Sequence, residues 1–239
     1  MSDRGVFIVL EGADGSAKST QLRHLTDRLH ALGRPCYPTA EPTHGAIGQL
    51  IRERLRSGGA HSPQSMACLF AADRYEHAVN EILPALATSA VVICDRYELS
   101  NLVYRAAEQP MVRCEDCSWA CWDISAPSAL IQCHECGLRD LAYPRHTALV
   151  WARQLSVGIP RPDLTIVLDL PADVARARRQ ARGATIELYD DQALQTRVVE
   201  LYRRAAELLP GERVAVVDGD ADEETVAARV WAVASQVLS

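Results

Sequence analysis

The sequence predicts an α/β domain built on a parallel sheet covered by helices on both faces, and three observations carry that expectation. Short apolar or β-branched runs alternate with longer segments whose apolar residues recur at helical spacing. The first run, Val6-Phe7-Ile8-Val9-Leu10, empties into a glycine-bearing turn and then a helix-forming stretch. The composition, 48% hydrophobic and 23% charged over 239 residues, suits a chain long enough to bury a sizeable core.

Taken in order, the strands are expected at 6–11, 36–40, 90–95, 164–170 and 213–218. The first, third and fourth are nearly continuous apolar runs, the pattern of strands buried on both faces of a parallel sheet. Helices are expected between them at 18–32, 64–87, 172–181 and 193–209. A last helix, 222–238, carries Asp222, Glu223 and Glu224 in its first turn, where acidic groups complement the helix N-terminus.

The net charge of −6 argues against a nucleic acid or an anionic membrane held by bulk electrostatics. The chain shows no run of 18 apolar residues and enters its first strand without a leader pattern, so a cytoplasmic protein is expected.

Of eight cysteines, Cys36, Cys68 and Cys94 stand singly in apolar stretches and read as buried thiols. The other five crowd between 114 and 136. Cys114-x2-Cys117-x15-Cys133-x2-Cys136 has the spacing of a four-thiolate structural zinc site, with disulfides or free thiols as the alternatives. Four sulfurs close the tetrahedral shell, which leaves no position open for catalysis. The surrounding stretch, about 105–145, is poor in helix or strand period and reads as a small zinc-ribbon-like module inserted into the domain. Trp119 and Trp122 would fill its core or dock it on the domain.

The turn after the first strand reads Gly12-Ala13-Asp14-Gly15-Ser16-Ala17-Lys18-Ser19-Thr20. Backbone N–H groups of such a turn and of the following helix point at a phosphate, Lys18 adds a point charge, and the Ser19 hydroxyl suits Mg²⁺. The bland alternative is a glycine-rich turn that happens to precede a helix. Ala17 stands where the pattern G-x4-G-K-[ST] has glycine. Glycine positions in such loops often take positive φ, where a Cβ costs about 1–2 kcal/mol.

Beyond the loop, Phe7-Ile-Val-Leu-Glu-Gly-Ala-Asp-Gly-Ser-Ala-Lys-Ser-Thr-Gln21 resembles the opening of thymidylate kinases. Leu69-Phe-Ala-Ala-Asp-Arg74, Asp95-Arg-Tyr-Glu-Leu-Ser-Asn-Leu-Val-Tyr104 and Pro162-Asp-Leu-Thr-Ile-Val-Leu-Asp169 resemble later segments of that family, in family order. The resemblance covers nearly the whole chain except the cysteine module. It implies a P-loop nucleoside-monophosphate kinase fold, with a five-stranded parallel sheet in the order 2-3-1-4-5. It implies transfer of a phosphoryl group from ATP, with Mg²⁺, to dTMP, and a homodimer.

The resemblance also implies roles. Gly12, Gly15, Ser16, Ala17, Lys18, Ser19 and Thr20 would cradle the ATP phosphates. Ser19, Asp14, Glu41 and Asp95 would hold Mg²⁺ or its waters, and Asp14 would alternatively accept from the deoxyribose 3′-OH. Phe70 would stack on the pyrimidine, Arg74 would donate to the thymine O4, and Asn101 would pair at the base edge. Arg96 would grip the phosphate, while Tyr97 and Tyr104 would wall the sugar, with Tyr104 excluding a 2′-OH. Arg179 and Arg182, from the arginine cluster after the fourth strand, would close on the phosphates, and with Lys18, Asp95 and Arg96 they make up the implied catalytic set. Two alternatives stay open: a kinase for another or modified pyrimidine deoxynucleotide, since Arg105 changes the pocket rim, and a catalytically weak nucleotide-binding regulator, since Ala17 and Ala40 replace family residues.

Overall fold

The computed structural model describes residues 4–57, 62–108, 112–113, 120–121, 149, 151–181, 189 and 191–238. Its strands are β1 (Phe7–Glu11), β2 (Cys36–Ala40), β3 (Val91–Asp95), a short pair β4 (Val112–Arg113) and β5 (Ala120–Cys121), β6 (Leu164–Asp169) and β7 (Val214–Asp218). Five of these form one parallel sheet in the order β2-β3-β1-β6-β7, which is 2-3-1-4-5 counted over the sheet's own strands. Each lies within a residue of its expected bounds, because continuous apolar runs have only the two-sided interior of a parallel sheet to occupy.

The helices are α1 (Lys18–Ala31), α2 (Ala46–Ser57), α3 (Pro63–His77), α4 (Leu83–Ala87), α5 (Glu98–Ala107), α6 (Ala172–Ala181), α7 (Gln192–Arg203), α8 (Ala205–Leu208) and α9 (Glu223–Ala234). Two expected helices are broken. The stretch 64–87 is interrupted by a π-helical turn, Ala78–Ile82, next to Pro84, which has no N–H to give the carbonyl one turn back. The stretch 193–209 bends at Arg204, which leaves helical geometry between α7 and α8. The sequence reading did not place α2 or α5.

β1 is the central strand, and its side chains alternate between two layers. Ile8 and Leu10 pack with Leu25 and Leu29 of α1 and Val230 of α9. Phe7 and Val9 face Ile82, Leu86 and Tyr97. A third cluster joins α5 to α7 through Leu102, Val103, Val198 and Tyr202. β2 is the exposed edge strand and carries Pro38, which an edge tolerates. The three single cysteines do not share one environment: Cys94 is buried, Cys36 is half-buried and Cys68 is exposed on α3. The cysteines at 114, 117, 133 and 136 lie outside the described residues, and α5 runs through Ala107, past the position where the inserted module was expected to begin. No helix among the described residues is long and apolar enough to cross a membrane.

The carboxyl ends of β1 and β3 lie side by side where the strand order reverses, so the loops leaving them diverge and open a crevice.

Candidate active site

The loop between β1 and α1 is shaped by backbone dihedrals. Gly12 and Gly15 have φ of 144° and 95°. A Cβ on Gly15 would sit 2.4 Å from the Ala175 carbonyl of α6, so this glycine lets the loop lie against that helix. Ala17 adopts the left-handed conformation, φ 67° and ψ 27°, immediately before α1. The loop therefore keeps the geometry that glycine would give it and carries a methyl group at a cost of about 1–2 kcal/mol.

Lys18 is buried and donates to the loop carbonyls of Gly12 at 2.9 Å and Ala13 at 3.1 Å. Burial and the nearby Arg96 guanidinium push its ammonium group below the usual lysine range, while Asp95, Asp14 and Glu11 oppose that shift. Ser19 donates from Oγ to Asp95 Oδ2 at 2.7 Å. The other Asp95 oxygen, Oδ1, is buried with no hydrogen-bond partner among the described residues. Two hard oxygen donors, one with an unused lone pair, suit Mg²⁺.

A second turn leaves β3 through Arg96, which is also left-handed, with φ of 72°. Glu11, at the end of β1, accounts for it. Its Oε1 accepts from the Tyr97 and Ser100 backbone N–H groups at 2.9 and 3.1 Å, and its Oε2 accepts from the Ser100 and Tyr202 hydroxyls at 2.6 and 3.1 Å. Burial pushes the Glu11 carboxyl above its usual range, and the Ser100 hydroxyl, the Arg96 charge and the Tyr97 and Ser100 N–H groups pull against that rise. The Arg96 guanidinium donates to Ser100 Oγ at 3.0 Å and to the Tyr202 hydroxyl at 3.3 Å, and pairs with Asp14 on the phosphate loop. Asp14 also accepts from the Tyr104 hydroxyl at 3.2 Å. Burial pushes the Asp14 carboxyl up, but Arg96 and Lys18 outweigh it and hold the group well below the usual carboxylate range.

Beyond Arg96 opens a cavity of about 360 Å³. Asp14, Phe70, Arg74, Arg96, Tyr97, Asn101 and Tyr104, all assigned to the acceptor nucleotide from sequence, line it together. They come from the phosphate loop, α3, the β3 turn and α5. Phe70 is half-buried at the wall. Asn101 is buried, with its amide 3.4 Å from the Ala67 carbonyl. Tyr97 is largely a core residue: its ring packs edge-on against Phe7 at 5.1 Å and its hydroxyl donates to Pro160 at 3.1 Å.

Glu41, expected to serve Mg²⁺ or its waters, also lines the cavity. It is buried, and both carboxylate oxygens are engaged, Oε2 by Arg74 Nε at 3.0 Å and Oε1 by His77 Nδ1 at 3.1 Å. Arg179 lies on α6, and Arg182 is outside the described residues.

Several residues of the site were not read from sequence. Glu11 and Ser100 sit inside the quoted motifs and were legible there as polar groups in otherwise apolar surroundings. Tyr202 had only its helical period to recommend it. Tyr189, with its ring 4.9 Å from that of Tyr104 and its hydroxyl on Glu108, sits outside every motif.

A family model described as thymidylate kinase matches residues 10–118. The chain is 36% identical over 234 residues to a thymidylate kinase of Thermomicrobium roseum, covering 97% of this chain and 95% of the relative. It is 37% identical over 216 residues to a probable thymidylate kinase of Pyrococcus horikoshii, covering 88% and 87%. The solved structure of a thymidylate kinase from Candida albicans shares the fold, with a TM-score of 0.70 at 24% identity, over 98% of this chain and 92% of that one. A phosphate loop joined through Arg96 to a nucleotide-sized cavity, on this sheet order and with these relatives, leads to one conclusion: the chain belongs to the thymidylate kinase family of nucleoside-monophosphate kinases.

Proposed function

We propose that the chain transfers the γ-phosphoryl group of ATP, with Mg²⁺, to dTMP, giving ADP and dTDP. The reading rests above all on Arg96, whose guanidinium bonds Asp14 where the phosphate loop meets the cavity. From there one planar fork reaches the phosphate of an acceptor in the cavity and the phosphoryl group arriving from the loop. The loop amides and Lys18 hold the donor phosphates, and no covalent intermediate is needed, since positioning and charge neutralisation carry this reaction.

Ser19 and Asp95 would hold Mg²⁺, as the unpartnered Asp95 oxygen supports. The ion supplies neutralisation of the phosphate charge. Asp14, shared between Arg96 and Tyr104, is assigned to the sugar 3′-OH or to the waters of Mg²⁺. Phe70 offers a face for the pyrimidine, with Asn101 and Arg74 at its edge. Tyr104, which lines the cavity, is assigned to the sugar wall and to the exclusion of a 2′-OH. A smaller cleft of about 190 Å³ on the other flank of the loop, lined by Ser16, Ala17, Thr20 and Arg178, suits the donor's base. Arg179 and Arg182 are assigned to closing over the phosphates and excluding water.

Three further readings belong to the proposal. The spacing of Cys114, Cys117, Cys133 and Cys136 supports a zinc-bound module within 105–145, where the metal would contribute on the order of 10 kcal/mol to folding. The exposed apolar residues Tyr75, Val79, Leu83 and Val157 support a homodimer. The chain is assigned to the cytoplasm. Arg105 and Glu108 at the cavity wall favour, as a second reading, a different or modified pyrimidine deoxynucleotide.

The test is ADP release from Mg-ATP across a panel of nucleoside monophosphates, with Lys18→Ala as control. Turnover with dTMP above all others is expected. Preference for another base moves the assignment to the second reading, and saturable binding without transfer to any acceptor overturns both.

A further inference from the structure

We infer that His77 is a positioning residue for acceptor selection: it locks Glu41, and Glu41 in turn aims Arg74 into the cavity. The inference rests on the proposal that Arg74 meets the acceptor's base.

His77 follows Arg74 by three residues on α3 and has no exposed side-chain surface. It is not a cavity residue, whereas Glu41 and Arg74 both are. Its Nδ1 lies 3.1 Å from Glu41 Oε1. A carboxylate there can only accept, so the ring carries its proton on Nδ1. The other oxygen of Glu41 takes Arg74 through Nε at 3.0 Å and Nη2 at 2.9 Å. Nη2 also donates to the Tyr97 carbonyl at 3.1 Å, which leaves Nη1, with Ser156 at a long 3.5 Å, as the donor open to a ligand.

The far side of the ring is tied down as well. His77 Nε2 is 2.8 Å from Thr39 Oγ1 on β2 and 3.6 Å from Glu81 Oε2. The Tyr37 hydroxyl donates to that same Glu81 oxygen at 3.2 Å, and Thr39 Oγ1, whose one proton serves a single neighbour at a time, lies 3.0 Å from it. The π-helical turn Ala78–Ile82 begins at the next residue and carries Glu81 back over the ring. A continuous polar chain therefore runs from the edge strand through His77 to a guanidinium at the base end of the cavity.

Such a chain has a physical use. Arg74 is one of the largest fully buried side chains, and a buried guanidinium takes the orientation its carboxylate partner dictates. Glu41 is flexible unless its second oxygen is also held. Removing the Nδ1 donor strands Oε1 in a dry site and invites Glu41 to rotate, taking Arg74 with it. A thymine oxygen needs the donor that Arg74 presents, while the amino group of cytosine at the same position cannot accept it. Aim thus becomes selectivity.

The experiment is steady-state kinetics on the full chain with dTMP, dCMP and ATP varied in turn, for His77→Leu, His77→Gln and Arg74→Met. For His77→Leu the KM for dTMP should rise about tenfold and the dTMP-to-dCMP preference should shrink by a similar factor, with the KM for ATP changed less than about twofold. His77→Gln, whose amide can still donate to Glu41, should recover most of both. A His77→Leu enzyme that is merely less heat-stable, with KM and preference intact, overturns the inference. If that variant does not fold, Thr39→Val takes its place: a rise of about two- to threefold in the KM for dTMP alone supports the relay, and unchanged kinetics overturn it. Arg74→Met separates the two levels. If it leaves base preference untouched, the assignment of Arg74 to the base fails. If it abolishes preference while the His77 variants do not, only the relay fails.

Discussion

The phosphate loop and the acceptor cavity meet at Arg96 but are built from different materials. The loop is mostly backbone: its shape lies in three positive φ angles within six residues, and Lys18 curls back on the loop's own carbonyls. The cavity is all side chains, brought from the loop, α3, the β3 turn and α5, and held by buried carboxylates, Glu11 behind Arg96 and Glu41 behind Arg74. A backbone cradle tolerates substitution as long as its dihedrals survive, which is how Ala17 can replace glycine. A side-chain cavity depends on each buried polar partner, because an unpaired one costs about 1–3 kcal/mol.

Mutations at the joint and on either side of it should break this contrast in order of size. Arg96→Met touches both regions and should lower kcat by about 10³-fold, with binding of each nucleotide less affected, as rapid-quench kinetics would measure. Lys18→Ala acts on the loop alone and should cost about 10²–10³-fold in turnover while dTMP binding, followed by calorimetry, stays within a small factor. Tyr104→Ala acts mainly on the cavity; the KM for dTMP should rise about tenfold and the ribonucleotide should become a better acceptor, with the KM for ATP changed far less. The smallest effect should come from Ala17→Gly. Relief of the left-handed strain should stabilise the protein by about 1 kcal/mol, visible as a rise of a few degrees in Tm, with activity equal or higher. A loss of stability there would show that the methyl group is packed and useful.

Legibility followed the same division. The phosphate loop and the five sheet strands were readable because each is local: a run of apolar residues, a turn and a lysine within one short stretch. α5 escaped notice although its residues Ser100, Asn101 and Tyr104 were singled out by resemblance, because its motif was read for chemistry and its helical period was not. The buried partners of Glu41 lie 33 and 36 residues further along the chain, and no local pattern announced them. Tyr189 reaches Tyr104 across 85 positions of sequence, and no local pattern announces such a contact.

What the sequence determined by itself was the sheet, its strand bounds and the phosphate loop, since hydrophobic run length and turn chemistry act between near neighbours. The tertiary structure alone decided which carboxylate serves which arginine. Burial removes water as a competing partner, so a buried ion pair forms with whatever the packing of distant segments places within reach, and that choice is written in no single stretch of the chain.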